Sequence, residues 1–160
     1  MFSFLKKKAK PKEGEEWITL TPPGNDVLKW ITGIRDRYKG YRIAITVSDN
    51  FKRYFSIVYD FSDLIVIDPD GNGGITSMDI SDTVNILDEL LSLRLCYEKY
   101  TPIYLRLSEA TTSDEMDYLL SYCRLSGIDG IVASSARQRD KILEKTQHRM
   151  TVILDKNGGK

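Results

Sequence analysis

The chain has 160 residues, of which 41% are hydrophobic and 29% are charged, as expected for one globular domain. Its 23 lysine and arginine residues are balanced by 23 aspartate and glutamate residues, so it lacks the net positive charge that holds a nucleic-acid backbone. No apolar run approaches the ~18 residues that cross a bilayer. Cys96 and Cys123 lack disulfide or zinc spacing, which indicates buried thiols in a reducing compartment. We therefore expect a cytoplasmic protein that contacts neither nucleic acid nor membrane.

The first residues carry opposite charges in succession. Lysines at positions 6, 7, 8, 10 and 12 are followed by glutamates at positions 13, 15 and 16, so the two fields largely cancel. We expect a flexible tail over residues 1–16, a single α/β domain over residues 17–155 and a frayed end over residues 156–160.

Strands and helices are predicted to alternate along this domain. Branched apolar runs predict five strands, at residues 42–47, 64–68, 103–107, 130–133 and 151–154. Three- and four-residue apolar spacing predicts helices at residues 25–38, 51–59, 79–97, 112–126 and 135–147. Thr112 and Glu115 form a capping-box pattern, and Gly127 ends the same helix. We find no internal sequence repeat.

The alternation predicts an α/β fold with right-handed crossovers between parallel strands. Two architectures fit: a partial (β/α) TIM-barrel-like parallel sheet of about five strands with flanking helices, or a flavodoxin-like open sheet. In both, ligands bind beyond the carboxyl ends of the strands. Five strands cannot close an eight-stranded barrel. We therefore expect a homodimer or a partner protein to cover the open sheet edges, or residues 17–23 to fold over one of them.

Three segments resemble a known family. They are Asp79-Ile80-Ser81-Asp82-Thr83, then Tyr100-Thr101-Pro102-Ile103-Tyr104-Leu105-Arg106-Leu107-Ser108, and finally Gly127-Ile128-Asp129-Gly130-Ile131-Val132-Ala133-Ser134-Ser135. In these segments the chain is similar to the dihydroorotate dehydrogenases, in particular to the membrane-associated class 2, which uses FMN in a (β/α)₈ barrel. The resemblance implies two strands and two helices from the middle of such a barrel. It also implies that Arg106, Ser108, Ser134 and Ser135 face the flavin.

The family's functional positions are changed in this sequence. Where the family has an Asn-x-Ser-Ser-Pro-Asn loop with its serine base, the chain has Asp68-Pro69-Asp70-Gly71-Asn72-Gly73. Arg106 aligns with the lysine that contacts the flavin in the family, and Ser134-Ser135 align with a Thr-Asn pair of the family. The family's phosphate-binding glycine loops come later in the barrel than these segments. We therefore expect a truncated, degenerate paralogue without catalytic residues that acts by ligand or partner binding. The alternative is an FMN-dependent oxidoreductase completed by a partner or a second copy.

The replaced loop matches the twelve-residue EF-hand calcium pattern, with acids at positions one and three, Asn at five and Gly at six. The candidate Ca²⁺ ligands are Asp68, Asp70, Asn72, Gly74, Thr76 and Asp79. The pattern predicts a calcium-binding module as a third function. The alternative is a tight turn in which Asp79 caps the following helix.

A basic cluster follows Ser134-Ser135 at the start of the last predicted helix. It consists of Arg137, Arg139, Lys141, Lys145 and Arg149. Such a cluster is typical either of a phosphate-binding position or of a solvated helix face, and the sequence leaves both open.

Overall fold

The computed structural model describes residues 17–23, 25–47, 54–68 and 80–154. Within them, strands and helices alternate. The strands are β1 (Trp17–Leu20), β2 (Arg42–Val47), β3 (Leu64–Ile67), β4 (Ile103–Arg106), β5 (Gly130–Ala133) and β6 (Thr151–Leu154). The helices are α1 (Val27–Arg37), α2 (Phe55–Phe61), α3 (Ile80–Cys96), α4 (Ser113–Ser126) and α5 (Ala136–Lys145).

The six strands form one sheet in which every neighbouring pair is parallel and the spatial order follows the chain order. The sheet is curled into a half-barrel. A flavodoxin-like sheet would wind in both directions from its first strand, which this order excludes. The predicted partial barrel-like architecture is therefore confirmed.

The register of the sheet also has the stagger of a barrel. If the pairing partners of Trp17 are extrapolated strand by strand across the sheet, the partner on the last strand is position 147. However, β6 begins four residues later, at Thr151. This drift is close to the shift of about one residue per strand in closed eight-stranded βα barrels, where it accompanies strand tilt.

The two faces of the sheet pack differently. The larger core cluster combines the outward face of the strands with apolar residues from all five helices, among them Ile31, Val58, Leu87, Leu119 and Ile142. The smaller cluster, on the inward face, contains strand residues alone. Its members are Ala44, Leu64, Val66, Tyr104 and Val132, with Ile153 beside them. Within the described residues, helices therefore cover the outward face of the sheet, and none contributes to the cluster on the inward face. The inward face is apolar because the sheet curls around it.

Tyr104 fills this inward face by lying against a glycine on the next strand. A Cβ atom placed on Gly130 would come within 2.5 Å of Tyr104 Cε2 and 2.7 Å of the Thr151 carbonyl oxygen. Only glycine leaves room for the ring at this point of the curl.

The strand predictions and four of the five helix predictions agree closely with the structure, whereas α2 is Phe55–Phe61 and not 51–59. All five predicted strands are present, with ends shifted by no more than one residue. Thr112 accepts a hydrogen bond from the Glu115 amide at 3.2 Å, and Gly127 ends α4 with a φ of 90°, as the capping pattern predicts. The additional strand, β1, pairs with β2 at the edge of the sheet. Residues 17–20 thus pair with β2 and themselves form the outermost strand of the described sheet on this side.

An aspartate clamp holds the first part of the sheet together. Asp63 lies one residue before β3, and its Oδ2 atom accepts hydrogen bonds from Ile43 N at 2.9 Å and from Arg35 at 2.8 Å. The same guanidinium also donates to the Phe61 carbonyl oxygen. Asp63 N in turn donates to the Ile43 carbonyl oxygen at 2.9 Å. One side chain thus connects α1, β2 and the start of β3.

The same clamp recurs in the second part of the sheet. Asp129 lies one residue before β5, and its Oδ2 atom accepts hydrogen bonds from Ile103 N at 2.9 Å and from Arg94 at 2.7 Å. Arg94 also donates to the Gly127 carbonyl oxygen at 3.2 Å, and Asp129 N donates to the Ile103 carbonyl oxygen at 3.0 Å. Burial and a hydrogen bond to Asp129 raise the pKa of Tyr100, so its hydroxyl remains protonated and donates to Asp129 Oδ1.

These matching contacts define a repeated α-β-α-β unit, α1 to β3 and α3 to β5. In both units the arginine lies in the last turn of the first helix and also contacts the carbonyl two residues before the aspartate. The arginine and the aspartate are 28 residues apart in the first unit and 35 in the second. The unequal spacing explains why no repeat is visible in the sequence.

The second clamp should contribute more stability than the first. Asp129 and Arg94 are 5% and 14% exposed, against 16% and 38% for Asp63 and Arg35. Removing one partner of a buried ion pair leaves an uncompensated charge. We expect Asp129→Ala to lower the free energy of unfolding by about 3–5 kcal/mol and Asp63→Ala by about 1–3 kcal/mol, as measured by urea denaturation. Asp36→Ala, on the exposed side of α1, is the control. Equal losses at Asp63 and Asp129 would contradict the ranking.

The two thiols differ, which corrects the expectation that both are buried. Cys96 is exposed at the end of α3, whereas Cys123 is buried in α4, where burial raises its pKa to about 12. A thiol reagent at pH 8 should therefore modify one cysteine per folded chain and two after denaturation. Rapid modification of both in the folded protein would contradict this packing.

Candidate functional site

The residues predicted to contact flavin lie at the carboxyl ends of β4 and β5. Arg106 is the last residue of β4, and Ser134 and Ser135 directly follow β5. The Ser134 hydroxyl donates to the Leu107 carbonyl oxygen. The structure thus brings the residues after these two strands into direct contact.

Gln138 holds the two loops together, and the sequence analysis missed this residue. It is 4% exposed. Its Oε1 atom accepts from Ser134 N at 2.8 Å, and its Nε2 atom donates to the Ser108 carbonyl oxygen at 2.6 Å. The backbone N–H of Gln138 donates to Ser135 Oγ at 3.1 Å, and Ser135 thereby caps α5. The available signal was the capping-box spacing of Ser135 and Gln138.

Arg106 is engaged in an ion pair across the sheet. Its guanidinium lies 3.6 Å from Asp68 Oδ2, and the two side chains are 13% and 3% exposed. Opposite charges at this depth compensate each other's loss of water. The positive charge of Arg106 is therefore directed to a carboxylate that directly follows the neighbouring strand, β3.

These contacts bear on the fit of FMN to the predicted residues. The side chains of Arg106, Ser134 and Ser135 each contact another part of the chain, and the Ser108 carbonyl is taken by Gln138. A flavin would have to share or displace these contacts. Flavin binding by these four residues therefore stays a prediction.

Most of the predicted calcium site lies outside the described residues. Asp70, Asn72, Gly74, Thr76 and Asp79 belong to that part of the chain. Asp68 is described, and there its carboxylate pairs with Arg106, whose guanidinium would compete with a cation. Over the described ranges, no group of three histidine, cysteine or acidic residues is placed to hold a metal ion. The calcium site also stays a prediction.

A small cavity lies beside these loops, between the β4–α4 connection and the first turns of α5. It is open to solvent on one side and has a volume of about 210 Å³. The lining residues are Glu109, Thr111, Met116, Arg137, Gln138 and Lys141. Two members of the predicted basic cluster therefore face a common space.

No protein-family model and no curated protein matches this chain. The resemblance to dihydroorotate dehydrogenases consequently rests on the residues that suggested it. Each helix within the described ranges is too short or too polar to span a bilayer.

The role of Arg106 can be tested by its effect on stability. Arg106→Met leaves the Asp68 carboxylate buried without this guanidinium, so we expect the free energy of unfolding to fall by about 3 kcal/mol. Arg106→Lys keeps the positive charge next to Asp68 and should therefore cost less. Unfolding in urea measures both. If Arg106→Met were more stable than the unmodified protein, Arg106 would not stabilise the fold. That result would indicate that Arg106 serves ligand binding at a cost in stability.

Proposed function

We propose that this chain is a non-catalytic relative of the dihydroorotate dehydrogenases, a half-barrel that acts by binding, and that its first partner is a second copy of itself. The observation that carries the proposal is the state of the two sheet edges. Over the described residues, β1 and β6 each pair with one neighbour only.

Neither edge strand carries the features that protect an exposed edge. Natural edges are commonly blocked by lysine, proline or inward-pointing charge. The sequences of β1 and β6 are WITL and TVIL, which contain none of these. Every residue of β6 is half-exposed, whereas every residue of β5 beside it is buried. An apolar, hydrogen-bonding edge of this kind favours pairing with another strand.

Two copies can satisfy both edges at once. If β6 of one copy lies parallel to β1 of the other, a twofold axis along the barrel repeats the contact on the opposite side. All strands then remain parallel, and the combined sheet has no open edge. The half-exposed side chains of Val152, Ile153 and Leu154 would become buried, which stabilises the pair through loss of apolar surface from water.

Binding rather than catalysis is supported by the contacts at the carboxyl ends of the strands. Arg106 is paired with Asp68, and the hydroxyls of Ser134 and Ser135 are engaged by the backbone. An oxidoreductase completed by a second copy would have to release these groups before using them. The proposal requires no such rearrangement.

The pairing predicts that a charge on an edge strand separates the copies. Thr19 is exposed on β1, so Thr19→Lys should leave the single chain folded while placing a lysine at the joint. We expect light scattering to give twice the single-chain mass for the unmodified protein and a mass closer to one chain for Thr19→Lys.

Thr32→Lys, which changes an exposed threonine on α1, provides the matched control and should remain paired. Circular dichroism would verify that both variants are folded. A single-chain mass for the unmodified protein at all concentrations would overturn the proposal.

A further inference from the structure

The cavity between the β4–α4 connection and α5 has an uneven distribution of charge. Arg137 and Lys141 are four positions apart, so both lie on the same side of α5. Glu109 contributes one carboxylate from the opposite wall. The walls therefore carry two positive charges and one negative charge.

The basic residues of α5 divide into two kinds. Outside the cavity, Arg139 lies 3.5 Å from Asp140, and Lys145 lies 2.6 Å from Asp117. Inside it, Arg137 and Lys141 form no ion pair with any residue of the described ranges, although Glu109 lines the same space. Two cations thus face the cavity, and no carboxylate of the described ranges lies within ion-pair distance of either.

The floor of the cavity is fixed by groups that are already bonded. The side chain of Gln138 bonds to Ser108 and Ser134, and its backbone N–H donates to the Ser135 hydroxyl. Recognition must therefore come from the charged side chains of the walls, Arg137 and Lys141. The volume of about 210 Å³ is smaller than the ~300 Å³ at which pockets for drug-sized ligands begin.

We propose that this cavity binds the phosphate group of a small phosphorylated molecule. Each cation attracts a dianion about twice as strongly as a monoanion, and Glu109 repels the dianion about twice as strongly. Because two cations face one carboxylate, the net electrostatic attraction increases with the negative charge of the ligand. The arginine fork and the lysine suit tetrahedral phosphate oxygens. The site belongs to a single chain and does not depend on pairing of two copies.

The test uses inorganic phosphate as the probe and two-dimensional NMR as the readout, with sodium chloride at matched ionic strength as the reference. We expect saturable shifts at Thr111, Arg137 and Lys141, and weaker binding of acetate. Arg137→Gln and Lys141→Gln should each weaken phosphate binding by about tenfold, the effect of losing ~1.4 kcal/mol. Glu109→Gln should strengthen it, because the one repulsive charge is removed.

Arg139→Gln is the matched control, since it removes the same charge from the same helix outside the cavity. It should change phosphate affinity by less than about twofold if the contact is local rather than a general field. Three results would overturn the proposal: no saturable shifts, equal affinity for acetate and phosphate, or an equal loss in Arg139→Gln and Arg137→Gln. All four altered residues are at least partly exposed, so the variants should fold.

Discussion

The clamp formed by an aspartate, an arginine and a strand amide is the constraint on which the rest of this fold depends. Apolar packing alone does not determine how far one strand slides along its neighbour, because burial is not directional. Asp63 and Asp129 each bond to the adjacent strand through both backbone and side chain, which fixes the register at the amino end of the sheet. Arg35 and Arg94 then attach the preceding helix to the same carboxylate.

The carboxyl end of the sheet is held by different polar groups, and this distribution limits what remains for function. Arg106 joins β4 to Asp68 after β3, and Gln138 joins the loops that follow β4 and β5. In an enzyme of this architecture, such positions contact substrate or cofactor. Here Arg106 and Gln138 also connect parts of the chain to one another. Within the described residues, the binding surfaces that we propose are therefore the two edge strands and the small basic cavity beside α5.

Much of the fold was predictable from local patterns, whereas the contacts at the site were not. The buried strands and capped helices follow from apolar runs and from Thr112, Glu115 and Gly127, whose effects are confined to a few residues. β1 has only four residues and gains its place from pairing with β2, which no local pattern reports. The ion pair of Arg106 with Asp68 and the bridge made by Gln138 join residues distant in the sequence, so spacing alone did not predict them.

We propose above that this half-barrel acts by pairing its edge strands with those of a second copy. Amide hydrogen exchange at several protein concentrations tests this claim most directly. If two copies pair through these strands, protection at Trp17–Leu20 and Thr151–Leu154 will rise with concentration, while the amides of β4 in the middle of the sheet will stay equally protected throughout. Edge amides that exchange at the same rate at every concentration, while β4 remains protected, would contradict it.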